Sequence, residues 1–175
     1  MKVEGLEWLS GSWFLDSRRV LLYGRQPGRQ FHVFLVDPDT GTRRPITPEG
    51  IPTTTYGATP DGRYAWADRP DGTWALYPIE AGEPVPMTGI LPGELPLRFS
   101  GDGRSFFVAR LTQAPVRVFH IDLASGARTH WKDFEPADKA GLSYVRFVRL
   151  SADASAYAYQ YRRWLSVLYT VEGLK

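Results

Sequence analysis

One turn recurs four times along this chain and limits the folds that the sequence can adopt. Its four copies are Leu15-Asp16-Ser17-Arg18, Pro60-Asp61-Gly62-Arg63, Gly101-Asp102-Gly103-Arg104 and Ala152-Asp153-Ala154-Ser155. Aspartate binds the backbone of its own turn, and glycine supplies the positive φ that a tight turn needs. The aspartates at 16, 61, 102 and 153 are spaced by 45, 41 and 51 residues, which predicts four repeats of one structural unit.

Each turn is followed by two short apolar or aromatic runs and then by a second turn that ends in glycine. The first runs are Val20–Tyr23, Tyr64–Ala67, Phe106–Ala109 and Tyr157–Tyr159. The second runs are Val33–Val36, Trp74–Tyr77, Val116–Phe119 and Val167–Tyr169. The closing turns are Asp37–Gly41, Glu80–Gly82, Asp122–Gly126 and Glu172–Gly173. Short β-prone runs separated by such turns are typical of antiparallel strands.

Four antiparallel strands in roughly 40–50 residues are typical of one blade of a β-propeller. The predicted fold is therefore all-β: a β-propeller of four four-stranded blades, either half of an eight-bladed ring or a small closed ring. The whole chain, 1–175, is predicted to be a single domain with repeats at about 7–52, 53–94, 95–142 and 143–175. A β-sandwich also alternates strands and turns, but four copies in one order favour the propeller.

Composition excludes several classes of protein. The chain has no cysteine, which excludes disulfides, a Cys-ligated zinc site and a thiol nucleophile. Its net charge of +2 is too small to indicate a nucleic-acid partner. No window is apolar over the roughly 18 residues that a membrane helix needs, and the first residues carry no secretory leader. We therefore expect a soluble chain, and the sequence assigns it no cellular compartment.

Two of the turns carry a resemblance to a known family. Pro60-Asp61-Gly62-Arg63-Tyr64-Ala65-Trp66 and Ser100-Gly101-Asp102-Gly103-Arg104 resemble the turn of TolB-like propeller repeats, which are also called WD40-like or PD40 repeats. The stretch from Phe34 to Thr47 is similar to the second half of that repeat. The fourth copy departs from the pattern at Ala154 and Ser155. The resemblance covers nearly the whole chain and implies a propeller, without implying a particular function.

The last part of the chain carries a second, shorter resemblance. Residues 157–163 and 168–174 are similar to the end of certain bacterial eukaryotic-type Ser/Thr kinases, which carry a C-terminal TolB-like propeller as a sensor. This resemblance implies a kinase-associated sensor domain. The kinase motifs themselves are missing from the sequence, and Asp133-Phe134-Glu135 lacks the glycine of the metal-binding motif.

Closure of the ring is the main architectural question that the sequence raises. The fourth repeat has residues for a third strand at Val167–Thr170 and few for a fourth, whereas residues 1–6 precede the first predicted strand. Residues 1–6 are therefore predicted to act as the closing strand. An open arc exposes strand edges and blade faces. One chain can close on itself, or two arcs can meet in an eight-bladed ring, and we favour the homodimer.

The predicted binding surface is rich in arginine. The loop after the second strand of each blade is predicted at Gly24–Gln30, Asp68–Thr73, Arg110–Pro115 and Gln160–Trp164. Arginine beside aromatic side chains is a composition that recognises anionic or peptide partners, although polar loops are also common without any such role. The candidate binding residues are Arg25, Arg29, Arg69, Trp74, Arg110, Arg162, Arg163 and Trp164. The polar Ser10-Gly11-Ser12 and Thr53-Thr54-Thr55 suit either a crowded propeller axis or an axial ligand pocket.

No catalytic pattern emerges from the sequence. The histidines His32, His120 and His130 lack zinc-site spacing, and no Gly-x-Ser-x-Gly elbow is present. We therefore predict no catalytic residue, no metal site and no cofactor. The predicted function is a non-enzymatic binding or sensor module with a protein, peptide or ligand partner. The alternatives are the gating propeller of a serine peptidase or other hydrolase, and a small lectin-like propeller.

Overall fold

The structure, a computed structural model, describes residues 3–14, 16–53, 55–111, 114–151, 153–170 and 172–173. These residues form fourteen β-strands and no helix, so none of them belongs to a helix that could cross a membrane. The strands are β1 Glu7–Trp13, β2 Val20–Arg25, β3 His32–Val36, β4 Arg43–Pro45, β5 Gly57–Ala58, β6 Tyr64–Asp68, β7 Trp74–Pro78, β8 Val85–Pro86, β9 Leu95–Phe99, β10 Ser105–Ala109, β11 Val116–Asp122, β12 Arg128–Phe134, β13 Leu142–Leu150 and β14 Tyr157–Arg163.

The strands form four successive antiparallel sheets, each built from strands that are consecutive in sequence. The first three sheets are β1-β2-β3-β4, β5-β6-β7-β8 and β9-β10-β11-β12, and the fourth is β13-β14. Contacts between the first strands of neighbouring sheets, β1 with β5 and β9 with β13, place these strands beside one axis. The predicted all-β propeller arc of four blades is confirmed, and the fourth blade holds two strands within the described residues.

The fourth sheet differs in detail from the sequence prediction. Strand β14 continues to Arg163, because its antiparallel pairing with β13 extends to Leu142 opposite Arg163. The loop predicted at 160–164 therefore lies mostly within the strand. The third strand expected at 167–170 is not formed: those residues have no strand partner, and Leu168 is 90% exposed.

The repeated turn has the chemistry that the sequence indicates. A carboxylate oxygen of Asp16, Asp61, Asp102 and Asp153 accepts the backbone N–H two residues further along the chain. The hydroxyl of Ser151, which donates to Asp153 Oδ1 at 2.6 Å, is the largest cause that lowers the pKa of Asp153 to about 2, followed by the side chain and the backbone N–H of Ser155. The residue after each aspartate has a positive φ, whether it is Gly62 (67°), Gly103 (70°), Ser17 (56°) or Ala154 (56°). All four repeats thus share one turn geometry, although only two have glycine at the left-handed position.

The hydrophobic core lies between the sheets. One cluster joins the first and second sheets around Leu21 and Tyr77, a second joins the second and third around Trp66 and Phe106, and a third joins the third and fourth around Phe134. Side chains of one face of each sheet therefore pack against the next sheet along the chain.

The outer face of the first sheet is covered by the N-terminal segment. Val3 is buried against Val20, Leu22 and Phe34, and Leu6 packs beside it. Within the predicted closing strand, Met1 and Lys2 lie outside the described residues, while Glu4 and Gly5 form a turn. The role of residues 1–6 in closing a ring stays a prediction.

Candidate functional site

The candidate arginines lie where the second strand of each sheet ends. Arg25 ends β2, Arg69 and Arg110 immediately follow β6 and β10, and Arg162 lies near the end of β14. We call this set, together with Arg29, Arg163 and Trp164, the loop surface. The structure shows that its members differ in how much of their hydrogen-bonding capacity is already used.

Several arginines of the loop surface are held by their own chain. Arg25 Nε lies 2.8 Å from Glu7 Oε2, and Arg29 Nη2 lies 2.6 Å from Glu49 Oε1. Arg163 pairs with Asp138 at 2.6 Å, which ties β14 to the loop between the third and fourth sheets. These guanidinium groups hold neighbouring loops together, which leaves fewer donors for a partner.

Other members of the loop surface remain open. Among the described residues, no carboxylate forms an ion pair with Arg69, Arg110 or Arg162. Arg110 donates to the carbonyl oxygen of Pro92 at 2.6 Å, and Arg162 stacks 4.1 Å from the ring centre of the exposed Trp164.

Trp74 lies elsewhere. It is only 6% exposed and packs against Trp66, with a ring separation of 6.3 Å, in the core between the second and third sheets. Its side chain therefore stabilises the fold and offers little surface to a partner. Periodicity alone could not separate it from Trp164, which is 63% exposed.

A cavity of about 380 Å³ lies at the axis, between the first strands of all four sheets. Two arginines line it, Arg98 on β9 and Arg149 on β13, and the sequence prediction included neither. Hydroxyl groups from the first two sheets also line it: Ser10 Oγ lies 3.1 Å from the hydroxyl oxygen of Tyr56, and burial raises the pKa of that tyrosine. We call this space the axial cavity.

Catalytic geometry is weak in the residues that the structure describes. His120 Nε2 lies 2.5 Å from Ser105 Oγ, but Ser105 also donates to Ser100 Oγ, and no carboxylate is hydrogen-bonded to this histidine. His130 pairs with Asp133 at 2.7 Å on an exposed strand. Across the described ranges, no group of three or more histidine, aspartate or glutamate side chains is arranged to hold a metal ion. The Ser105–His120 pair thus lacks the acid that orients the base in a catalytic triad.

One buried carboxylate stands apart from these surfaces. Asp68, at the end of β6, is 5% exposed, and its Oδ1 has no hydrogen-bond partner among the described residues. Burial in this poorly hydrated position raises the pKa of Asp68. Asp68 does not line the axial cavity, and we interpret it as a structural group that opposes stability at neutral pH.

Comparison with known proteins finds solved structures of similar architecture. No protein-family model matches the chain, and no curated protein matches it either. The crystal structure of TolB from Acinetobacter baumannii superposes with a TM-score of 0.65 and 23% identity, covering 92% of this chain and 39% of that one. The fold is a TolB-like β-propeller.

A second solved structure supports the same architecture at lower identity. Oligogalacturonate lyase from Vibrio parahaemolyticus superposes with a TM-score of 0.58 and 10% identity, covering 90% of this chain and 54% of the lyase. The chain spans less than two thirds of either structure. Because both identities are below 25%, these likenesses show the fold alone, and function must be argued from the residues of this chain.

Proposed function

We propose that this chain is a non-enzymatic binding propeller whose four blades close into an eight-bladed ring with a second copy of the chain. The observation that carries the proposal is that apolar side chains are exposed at both ends of the arc, although Val3 and Leu6 cover part of the first sheet. At the first sheet these are Trp8 and Leu9, of which Leu9 is 70% exposed. At the fourth sheet they are Tyr157, Tyr161, Trp164, Leu165, Val167, Leu168 and Tyr169.

The free edge of the fourth sheet supports the same proposal. Strand β14 pairs only with β13, so the backbone along its other side has no strand partner among the described residues. The adjoining segment, residues 164–170, is rich in strand-forming residues and is exposed throughout. An unpaired edge beside a large apolar surface is a liability in a monomer, and pairing across an interface removes it.

A two-fold axis between two chains allows the two different ends of each arc to meet. In a two-fold dimer, the fourth sheet of each chain meets the first sheet of its partner, so both exposed ends are buried in two equivalent contacts. Four blades from each chain give the eight-bladed ring. The closure requires no new fold, because sheet-on-sheet packing of this kind already joins the sheets within one chain.

The molecular mass in solution tests whether two chains close into one ring. Light scattering should give twice the 19.7 kDa of one chain. The double variant Leu165→Asp/Leu168→Asp should shift the protein toward the monomer, because it places charge on a surface that closure buries. Leu91→Asp is the matched control: Leu91 is also exposed but lies in a loop between the second and third sheets, so this variant should stay dimeric. A wild-type protein that is monomeric at every concentration would overturn the proposal.

We further propose that the loop surface recognises an acidic or peptide partner through Arg69, Arg110 and Arg162. Support comes from the lack of ion pairs to these three arginines within the described residues. A synthetic glutamate-rich decapeptide should bind, and Arg69→Ala or Arg162→Ala should weaken binding several-fold, with a larger effect at low salt. Arg25→Ala is the control, because Glu7 already holds that guanidinium. Unchanged affinity in both test variants would refute this role.

The resemblance of the C-terminal stretch to bacterial Ser/Thr kinases supports a setting in which the propeller serves as the sensor of a kinase. Sequencing of the full reading frame tests that setting directly. A kinase domain in the same frame would support it, and a peptidase or hydrolase domain there would instead favour a gating propeller.

A further inference from the structure

We propose that the axial cavity binds a small organic anion, a hydroxylated molecule with a carboxylate or phosphate group, through Arg98 and Arg149. This site is separate from the loop surface and from the ends of the arc. Its lining residues come from all four sheets of the chain.

The repeat itself places these two arginines at the axis. Each stands four residues before the aspartate of its turn, Asp102 or Asp153. The equivalent positions in the first two repeats are Ser12 and Gly57, and all four residues line the cavity. The repeat therefore directs this position to the axis in every blade, and two of the four blades carry a cation there.

Both arginines retain donors for a ligand. Arg98 is half-buried, and its Nη1 donates to the carbonyl oxygen of Leu150 at 3.0 Å, which fixes the guanidinium between the third and fourth sheets. Arg149 Nη1 donates to the carbonyl oxygen of Val148 at 3.1 Å. Neither forms an ion pair with any described residue, in contrast to Arg25, Arg29 and Arg163 on the loop surface. A guanidinium has five N–H donors, so most of those on each arginine are free.

The charge in the cavity is uncompensated. Among the described residues that line it, none carries a carboxylate, so the half-buried Arg98 and the exposed Arg149 line one open cavity without a counter-charge in its lining. Like charges in a partly desolvated space repel one another, and a bound anion converts that repulsion into attraction. Arginine is also the side chain best suited to bidentate contacts with carboxylate and phosphate.

The other residues that line the cavity suit a ligand that carries hydroxyl groups. Ser10 and Ser12 on β1, and Thr55 and Tyr56 just before β5, supply hydroxyl groups to the lining. A cavity of about 380 Å³ lies within the size range of small-molecule sites. These features together favour a polar organic anion over a bulky apolar ligand.

Calorimetric titration tests the site with three hydroxylated ligands that differ in charge. Malate carries carboxylates, glucose 6-phosphate carries a phosphate, and glucose is uncharged. We expect at least one of the two anions to bind with a dissociation constant of about 1 mM or tighter, and glucose not to bind. The affinity should fall as sodium chloride is added. Binding of malate alone would identify a carboxylate site, binding of glucose 6-phosphate alone a phosphate site, and binding of both a general anion site.

Variants locate the binding. Arg149→Gln should weaken it about tenfold or more, and Arg149→Lys should restore part of the loss by returning the charge without the planar fork. Arg149 is exposed, so its replacement leaves the core intact. Arg146→Gln is the matched control, since Arg146 is an exposed arginine on the same strand that does not line the cavity. Arg69→Ala on the loop surface should also leave anion binding unchanged.

Three results would overturn the proposal. They are failure of both anions to bind, binding of glucose as tight as that of the anions, and an equal loss of affinity in Arg146→Gln and Arg149→Gln. A monomeric protein that still binds the anion would contradict ring closure and leave this site standing, so the two proposals fail separately.

Discussion

The ion pair between Glu94 and Arg128 should be worth far more to stability than the exposed pairs of the loop surface. Glu94 precedes β9, and its side chain is 6% exposed, whereas that of Arg128 on β12 is 22% exposed. Arg128 Nη1 donates to Glu94 Oε2 at 2.8 Å, and Nη2 contacts Oε1, so the pair is bidentate. The backbone N–H of Leu91 donates to the same carboxylate at 3.0 Å, which ties the loop between the second and third sheets to the outer strand of the third.

Glu94→Gln tests the pair with little change in shape. Breaking a buried ion pair typically costs about 3–5 kcal/mol, because the remaining charge is left without a counter-charge. Here the loss should be smaller, about 2–3 kcal/mol, because Arg128 retains some exposure and also stacks 3.7 Å from the ring centre of Phe119. The glutamine oxygen can still accept a hydrogen bond from Leu91.

Glu49→Gln provides the matched control. Glu49 also pairs with an arginine across two loops, but the side chains of Arg29 and Glu49 are 62% and 31% exposed. A solvent-exposed pair of this kind contributes little to stability, because water and salt screen the attraction. The two variants remove the same charge from the same residue type, so the difference between them measures the effect of burial.

Urea unfolding at one fixed protein concentration, followed by the fluorescence of the six tryptophans, gives the two free energies. A double-mutant cycle with Arg128→Met isolates the interaction between the two side chains. The reasoning is refuted if Glu94→Gln costs no more than Glu49→Gln, or if the effects of Glu94→Gln and Arg128→Met simply add.

Three further perturbations test other parts of the fold. Ala154→Gly should raise the free energy of unfolding by about 1 kcal/mol in urea unfolding, because Ala154 has a φ of 56°. Asp68→Asn should flatten the fall in stability that begins as pH rises above about 4, measured by denaturation across a pH series. Burial raises the folded-state pKa of Asp68 above the unfolded value, so its contribution is present at low pH and is lost as pH rises through that pKa. Phe106→Ala should cost about 3–5 kcal/mol in urea unfolding, because Phe106 is fully buried.

Each of these predictions has a contrary outcome. Ala154→Gly would contradict the turn argument if it destabilised the protein as much as Ala124→Gly, a glycine substitution in a turn without positive φ. Asp68→Asn would contradict the burial argument if its pH profile matched the wild type. Phe106→Ala would contradict the assignment of the core if its cost stayed below about 1 kcal/mol.

The strand order and the turns could be predicted from sequence because their causes are local. An aspartate that accepts an N–H two residues away, as Asp61 does from Arg63, needs no information from the rest of the chain. The same is true of the short apolar runs on either side. The regular repetition of these local signals then identifies the architecture.

The state of each candidate binding residue could not be predicted in this way. Whether an arginine forms an ion pair depends on residues distant in sequence. Arg163 pairs with Asp138, whereas Arg69 pairs with no carboxylate among the described residues. The burial of Trp74 likewise depends on Trp66 and the neighbouring sheet. The extension of β14 depends on its register with β13.

The axial arginines are a different case, because a sequence signal was present. Arg98 and Arg149 stand at the same offset from the repeated aspartate, and that regularity indicates equivalent positions in two blades. Both lie in strands, outside the loops in which the binding residues were predicted. In a repeat protein, charged residues at the same distance from the repeated turn indicate equivalent positions in the structure.

The placement of the core between sheets has a consequence for synthesis on the ribosome. The first shared cluster needs Leu21 from the first sheet and both Tyr77 and Ile79 from the second. The inner face of the first sheet therefore stays uncovered until residue 79 has left the exit tunnel, and each later sheet must wait for its successor in the same way. Maturation of the nascent chain should therefore advance one blade behind translation, because each sheet gains its core partner only when the following sheet emerges.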